Sequence, residues 1–382
     1  MKNFKINTFL LLFLLFTACE NDKKSILKES NKINSFFETY FNDKIDRSPM
    51  YQARLGIKKD YDKWDDISPK SDTLELRIAK NALQWIKDSI NINLLNDQTE
   101  LSYRLFKQDL ENQIKDFKYR LYSYPVNQMY GYHSRVPAFL INIHKVDSKK
   151  DAEDYIVRLT GIKDLFNQLE KNLIERELVG IMPPQFVYHH VIDDSKNIIS
   201  GLPFNGTDSS ALFKDFVEKI EILNLEKNEK ERLINQSKNA LVSTVLPAYQ
   251  SLINLLEKQM VNSTKDDGVW KWPNGDKFYS NALKRTTTTN MTIEEIHQLG
   301  LTEVERIHKE MVKIKDEVGF RGNLKSFFNE LKHNEKYYYP QSESGKKDYM
   351  IKASQIIEEM KLRLDELFLR KPKADMIVKA VE

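Results

Sequence analysis

GVWKWPNGDKFYSNALKRTTTTNMTIEEIHQLGLTEVERIHKEM, residues 268–311, is the stretch on which the reading of this chain turns. It holds two of the four tryptophans, a Pro273-Asn274-Gly275-Asp276 turn and a threonine run over 286–289. Its second half carries the best-marked helix start in the sequence. Thr292 and Glu295 have the T-x-x-E spacing of a capping box, in which each side chain answers an unsatisfied backbone N–H. Met291 before the cap and Ile296 beyond it are placed as a hydrophobic staple. Ile296, Leu299, Gly300, Val304, Ile307, Met311, Ile314 and Val318 then recur at three and four residues, the stripe of an amphipathic helix.

The same spacing recurs in both directions from this stretch. Upstream, Ile33, Phe36, Phe37, Tyr40 and Phe41 form one stripe. Leu76, Ala79, Leu83, Ile86 and Ile90 form a second, and Leu101, Leu105, Leu110, Ile114 and Phe117 a third. Helices are also expected over 151–177, from Pro183-Pro184 to about Ile199, and over 211–223, 226–256, 292–318 and 347–369. Between Tyr122 and Val146 the texture changes, and Pro125, Gly131 and Pro137 predict a structured loop over the core. Strand signals are confined to Val269–Trp272 and Met376–Val381. The expected fold is mostly α, a multi-helix architecture with few short strands.

Composition narrows the function classes. The 382 residues are 41% hydrophobic and 30% charged, an ordinary globular balance with ample length for a core. The formal charge is +3, and without Lys2 and Lys5 of the leader 57 basic residues face 56 acidic ones. No basic field or aromatic-basic patch favours nucleic acid. No G-x-S-x-G elbow, P-loop or G-x-G-x-x-G is present, so serine-hydrolase and nucleotide chemistry lack support.

The single cysteine, Cys19, closes a leader. Lys2 and Lys5 give a basic start, Phe9–Phe16 an eight-residue apolar run, and Thr17-Ala18 small residues before the cysteine. The run is too short to span a bilayer as a helix. Residues 1–18 therefore read as a lipoprotein signal peptide. The segment resembles a bacterial lipobox, with Phe16 where Leu is commoner, and that resemblance implies cleavage before Cys19 and lipid on its sulfur. A plain signal peptide with an incidental cysteine is the alternative. Glu20, rather than Asp, follows the cysteine, which points to a lipid-anchored envelope protein at the outer membrane. Residues 19–32 are polar and expected to form a flexible tether. With no second cysteine, disulfides and zinc–cysteine sites are excluded.

Several phrases occur in an order that resembles the bacterial family called domain of unknown function 885. They include FFETYFNDKIDRSPMYQARLG (36–56), LFKQDLENQIKDF (105–117), PVNQMYGYHSRVPAFL (125–140) and GIMPPQFV (180–187). The opening stretch, VGFRGNLKSFFNELK (318–332) and YYYPQSE (337–343) continue the series. The resemblance implies a lipoprotein related to the gluzincin zinc peptidases, with a helical region over 33–265 and the start of a peptidase-like region over 266–382. It also implies an H-E-x-x-H helix, in which two histidines bind zinc and the glutamate activates water. Here no histidine is followed by glutamate. The expectation is an N-terminal portion, incomplete at its C-terminus and inactive alone, with zinc held only by full-length relatives and no cofactor in this chain. The alternative is a non-enzymatic, membrane-anchored module that binds peptides or a protein partner.

The remaining histidines offer weaker sites. Glu294-x-x-His297 and Glu305-x-x-His308 match half of a di-iron motif. They lie eleven residues apart on one helix, about 16 Å by the helical rise, too far to share a metal. His189 and His190 fall in a helix beside Val187 and Val191, where His190 reads as a half-buried packing residue. His297 sits in the first turn of the capped helix, where free N–H groups suit a carboxylate or phosphate. Tyr279, Thr287 and His297 are the residues expected to line a peptide cleft, and otherwise they hold the helix start against Trp270–Trp272.

Overall fold

The computed structural model describes the backbone of residues 2–379 and the side chains of residues 22–379. Cys19 and the last strand residues, Ala380 and Val381, lie outside the residues whose side chains are described. The chain is mostly α, and its described residues form isolated bridges at Val126–Gly131 and Leu202–Ser209 rather than a sheet. It divides into two compact units, Met1–Ala282 and Leu283–Glu382. No described helix is long and apolar enough to cross a membrane.

In the N-terminal unit, α1 (Lys2–Asp46), α2 (Pro49–Arg54), α3 (Pro69–Ser89) and α4 (Asp97–Asp116) come first. They are followed by α5 (Tyr132–Asn142), α6 (Lys149–Leu178), α7 (Gln185–Ile198) and α8 (Ala211–Glu221). Then come α9 (Lys227–Ala240), α10 (Leu246–Asn262) and the start of α11 (Gly275–Thr287). The aromatic stripe of α1 packs on α3 and α4. Phe36 stacks on Trp85 at 4.1 Å, and Phe37 and Tyr40 meet Phe106 edge-on at 5.0 Å. Beneath them lie Ile33, Ala79, Ile86 and Leu110.

The larger core surrounds α6, capped by Ser148, whose hydroxyl accepts the Asp151 N–H. Tyr155, Leu159, Ile162, Phe166 and Leu169 are buried against α7, α8 and α10, where Tyr188, Phe216, Tyr249 and Leu256 meet them. α9 and α10 join through one π-turn over Leu241–Val245, just ahead of Pro247. A single extra residue in the turn there keeps one helical line running past the proline.

Four local expectations are corrected. The segment 19–32 was to be a tether, but its described part is helix. Ser30 is buried and accepts the Asn96 N–H, and Glu29 accepts the Asn91 N–H. The loop over 122–146 contains α5 despite Pro137. Proline removes the donor that the His133 carbonyl would accept, and the buried Tyr249 hydroxyl donates to that carbonyl instead, at 2.6 Å. Val269–Lys271 is a 3-10 turn leading into α11 rather than a strand, and residues 376–379 form no strand. His190, finally, is exposed: α7 turns Val187, Tyr188, Val191 and Ile192 inward.

The C-terminal unit holds the end of α11, then α12 (Ile293–Glu317), α13 (Leu324–His333) and α14 (Glu343–Arg363). Phe327, against Phe320 at 5.2 Å, is its one buried apolar side chain among the described residues. The rest of its apolar stripe is half open to solvent.

Candidate functional site

The capping box that marked α12 in the sequence forms. The Thr292 hydroxyl accepts the Glu295 N–H at 3.2 Å, and the Glu295 carboxylate accepts the Thr292 N–H at 2.7 Å. His297 stands exposed in the first turn. Thr287 ends α11, where its hydroxyl donates to the Leu283 carbonyl at 2.8 Å and lies 3.0 Å from that of Thr289. Thr288 takes a positive φ of 55° there, which breaks the helix. Thr287 and His297 share no hydrogen bond, and neither lines the crevices described below. Tyr279, in the N-terminal unit, is exposed on α11.

The tryptophan segment is structural at one position and open at the other. Trp272 is buried edge-on against Tyr122 and Tyr124, with Phe278 beside it. Burial pushes the Tyr124 phenol up to about 12, and its hydroxyl donates to the Met182 carbonyl. Trp270 is exposed.

The E-x-x-H pairs face solvent. Glu305 pairs with Lys309 at 2.7 Å, and His308 borders a shallow groove of about 450 Å³ with Leu301, Val304 and Val312. Among the described residues no group of three or more His, Cys, Asp or Glu side chains could hold a metal ion. The residues present therefore do not fit a zinc site, and no metal-assisted step is assigned to them.

A crevice of about 800 Å³ lies at the start of α14 in the C-terminal unit. Tyr337, Tyr338, Tyr339 and Tyr349 line it with Gln341 and Lys346. Ser342 caps α14 by accepting the Gly345 N–H at 3.1 Å. Gly345 is required there, because a Cβ would stand 2.0 Å from the Pro340 carbonyl oxygen. Phenol hydroxyls, an amide and an ammonium around aromatic faces equip this crevice to bind and orient a polar ligand.

A buried polar cluster in the N-terminal unit escaped the sequence reading. Arg158 is fully buried, with Tyr61, Trp64 and Phe139 within 5.5 Å of its guanidinium. It donates to the Lys63 carbonyl at 3.1 Å and to His144 Nδ1 at 2.9 Å. Because Nδ1 accepts, the His144 proton sits on Nε2 and is donated to the Asp151 carbonyl at 2.9 Å. Burial holds His144 down to about 3, with the Arg158 charge acting in the same direction. The signal lay in the spacing: Asp151, Arg158, Asn172 and Arg176 fall on the buried stripe of α6. The cluster joins the 49–67 segment to α5 and α6, and it is structural.

These features define a helical protein with a cored bundle, a sparsely packed C-terminal unit and a tyrosine-lined crevice. The chain belongs to the family described as bacterial protein of unknown function, DUF885, whose signature covers residues 49–382. Two solved structures share the fold. One is a candidate lipoprotein from Colwellia psychrerythraea, 20% identical with a TM-score of 0.79, matched over 91% of this chain and 61% of that one. The other is a candidate lipoprotein of unknown function from Shewanella oneidensis, 15% identical with a TM-score of 0.63, matched over 94% and 60%. The chain thus spans about three fifths of the length of these neighbours. No curated protein matches it.

Proposed function

We propose that this chain is the helical N-terminal portion of a zinc-metallopeptidase-like lipoprotein, anchored to the outer membrane through lipid on Cys19. In this reading residues 33–265 form a substrate-covering region and 266–382 begin the peptidase-like region. Tyr279, Thr287 and His297 border its cleft. The observation that carries the reading is a mismatch: none of the seven histidines is followed by glutamate, while about two fifths of each neighbour's chain lies outside the match. The neighbours' description as lipoproteins supports the anchor. The chain alone then neither binds zinc nor cleaves peptides. Metal analysis of the purified chain is expected to give far less than one zinc per molecule, and a tight one-to-one site overturns the proposal.

The tyrosine-lined crevice favours a second reading, a membrane-anchored module that binds peptides without hydrolysis. The mass of the protein in its own envelope separates the two. A polypeptide well above the 45.0 kDa of these residues supports the first, and one of that mass, stable and monomeric, supports the second.

A further inference from the structure

We propose that Asn205 is a self-modifying residue, converted without an enzyme to aspartate and isoaspartate, and that the fold confines this chemistry to one of the two Asn-Gly pairs in the chain. Those pairs are Asn205-Gly206 and Asn274-Gly275. In each, the glycine lacks a Cβ, so the backbone nitrogen that follows the asparagine can approach the side chain. Once its proton passes to hydroxide, that nitrogen adds to the side-chain carbonyl carbon, Cγ. The Cγ–Nδ2 bond then breaks, ammonia leaves with a proton taken from water, and a cyclic succinimide remains. Water adds to either succinimide carbonyl and opens the ring to aspartate or isoaspartate. The net reaction consumes one water and releases one ammonia, with no change in oxidation state.

The two pairs sit in different surroundings, both within the N-terminal unit. Asn205 lies on the connection between α7 and α8. The base of that connection is closed by the Leu202 N–H to the Asp208 carbonyl at 2.6 Å and the Ser210 N–H to the Leu202 carbonyl at 2.8 Å. The Phe204 and Asn205 N–H groups both donate to the Gly201 carbonyl, and the Gly201 N–H donates to Asn205 Oδ1 at 2.9 Å. This last bond aims a backbone donor at the oxygen on which charge develops when Cγ is attacked, as an oxyanion hole does. Gly206 takes a φ of +70°, and a Cβ placed on it would meet no atom closer than 3.9 Å. Its N–H enters none of the described hydrogen bonds. At 205 the carbonyl is polarised and the nitrogen is open to hydroxide. At 274 the nitrogen is held: the Gly275 N–H donates to the Trp272 carbonyl at 3.0 Å. Gly275 is also buried as the first residue of α11, where a Cβ would stand 1.8 Å from the Val269 carbonyl oxygen. That nitrogen keeps its proton until the turn opens. Conversion at 205 adds a carboxylate to the loop that carries Asp208. Its isoaspartate form lengthens the main chain beside Phe204, which packs at the edge of the larger core.

The test incubates the full chain at mildly alkaline pH in water enriched in oxygen-18 and maps its peptides by mass spectrometry over time. Asn205 is expected to convert about tenfold faster than Asn274 or more, with heavy oxygen in the product and a rate that rises with pH. In denaturing guanidinium the two rates are expected to converge to within about threefold, because the discrimination belongs to the fold. Gly206→Ala should slow conversion at 205 by about tenfold, since its Cβ crowds the attacking nitrogen. Circular dichroism checks that this variant folds, and the comparison of folded and denatured wild type needs no variant. Equal rates at 205 and 274 in the folded chain overturn the proposal. So does a preference for Asn205 that persists undiminished in guanidinium, or a folded Gly206→Ala chain that converts as fast as wild type.

Discussion

Helices α6 and α12 are both long, amphipathic and capped, yet they live in different surroundings. The 30 residues of α6 bury thirteen side chains, whereas the 25 of α12 bury Lys315 alone among the described residues. Both stripes are written with the same three-and-four spacing. An apolar stripe therefore states that a helix requires cover, and only the rest of the molecule states whether the cover is present. In the N-terminal unit α8, α9 and α10 answer α6. In the C-terminal unit α12 meets α13 along a short contact, and Leu299, Val304, Ile314 and Val318 of its stripe are half or more exposed.

The sharpest way to break this contrast is a deletion in the larger core. Phe216 is fully buried against Tyr155 at 5.0 Å. Phe216→Ala should destabilise the N-terminal unit by about 3–5 kcal/mol, from lost transfer energy and the cavity left behind. Urea unfolding followed by circular dichroism measures it. A loss below about 1 kcal/mol would mean that this core is as loosely packed as the C-terminal unit.

The next effect is a pH dependence confined to the N-terminal unit. His144 is held near 3 in the folded state, against about 6.5 when unfolded. A group with a depressed folded pKa leaves the unfolded chain binding more protons, so stability falls as pH drops through the window from 6.5 to 3. The full linkage has an upper bound of about 5 kcal/mol. His133, depressed mainly by burial and opposed by Asp194, adds in the same direction. The urea midpoint should fall between pH 7 and pH 4, and His144→Gln should flatten that slope while lowering stability at pH 7. An unchanged slope in the variant would remove His144 as its source.

Much of this contrast was legible in the sequence, and its gaps have physical causes. The stripes of α1, α3 and α4 were readable because burial on one helix face imposes its period on the chain. Thr292 and Glu295 were readable because a capping box is local. Helix α5 was not, because what rescues the carbonyl freed by Pro137 is a tyrosine 116 residues away. Val269–Trp272 has strand-like residues but no neighbouring strand to pair with, and it winds into a turn. Arg158 hid because charge marks a surface position by default, and only the aromatic rings of Tyr61, Trp64 and Phe139 explain its burial. The sequence placed His297 in the first turn of α12. The cleft proposed for it depends on chemistry that no local pattern carries.

Within the C-terminal unit the cap should matter more than the stripe. Thr292→Ala removes the side chain that answers the Glu295 N–H and should cost about 1 kcal/mol. The loss should show as faster amide exchange in the first turn of α12, with the N-terminal unit unaffected. Equal exchange in variant and wild type would mean that the turn is already frayed.

Ile314→Ala should have the smallest effect, and for that reason it discriminates best. At 53% exposure its side chain has little packing to lose, so the purified chain should change by no more than about 0.5 kcal/mol. The same substitution made where the α12 face is covered should cost about 2–5 kcal/mol, because it then leaves a cavity in a packed seam. The two measurements differ only in what lies against α12. Their difference therefore reads the energy of any cover on α12, by amide exchange over 304–318 in each form. A loss above about 2 kcal/mol in the purified chain would show that the stripe is already packed, and the contrast between α6 and α12 would fail.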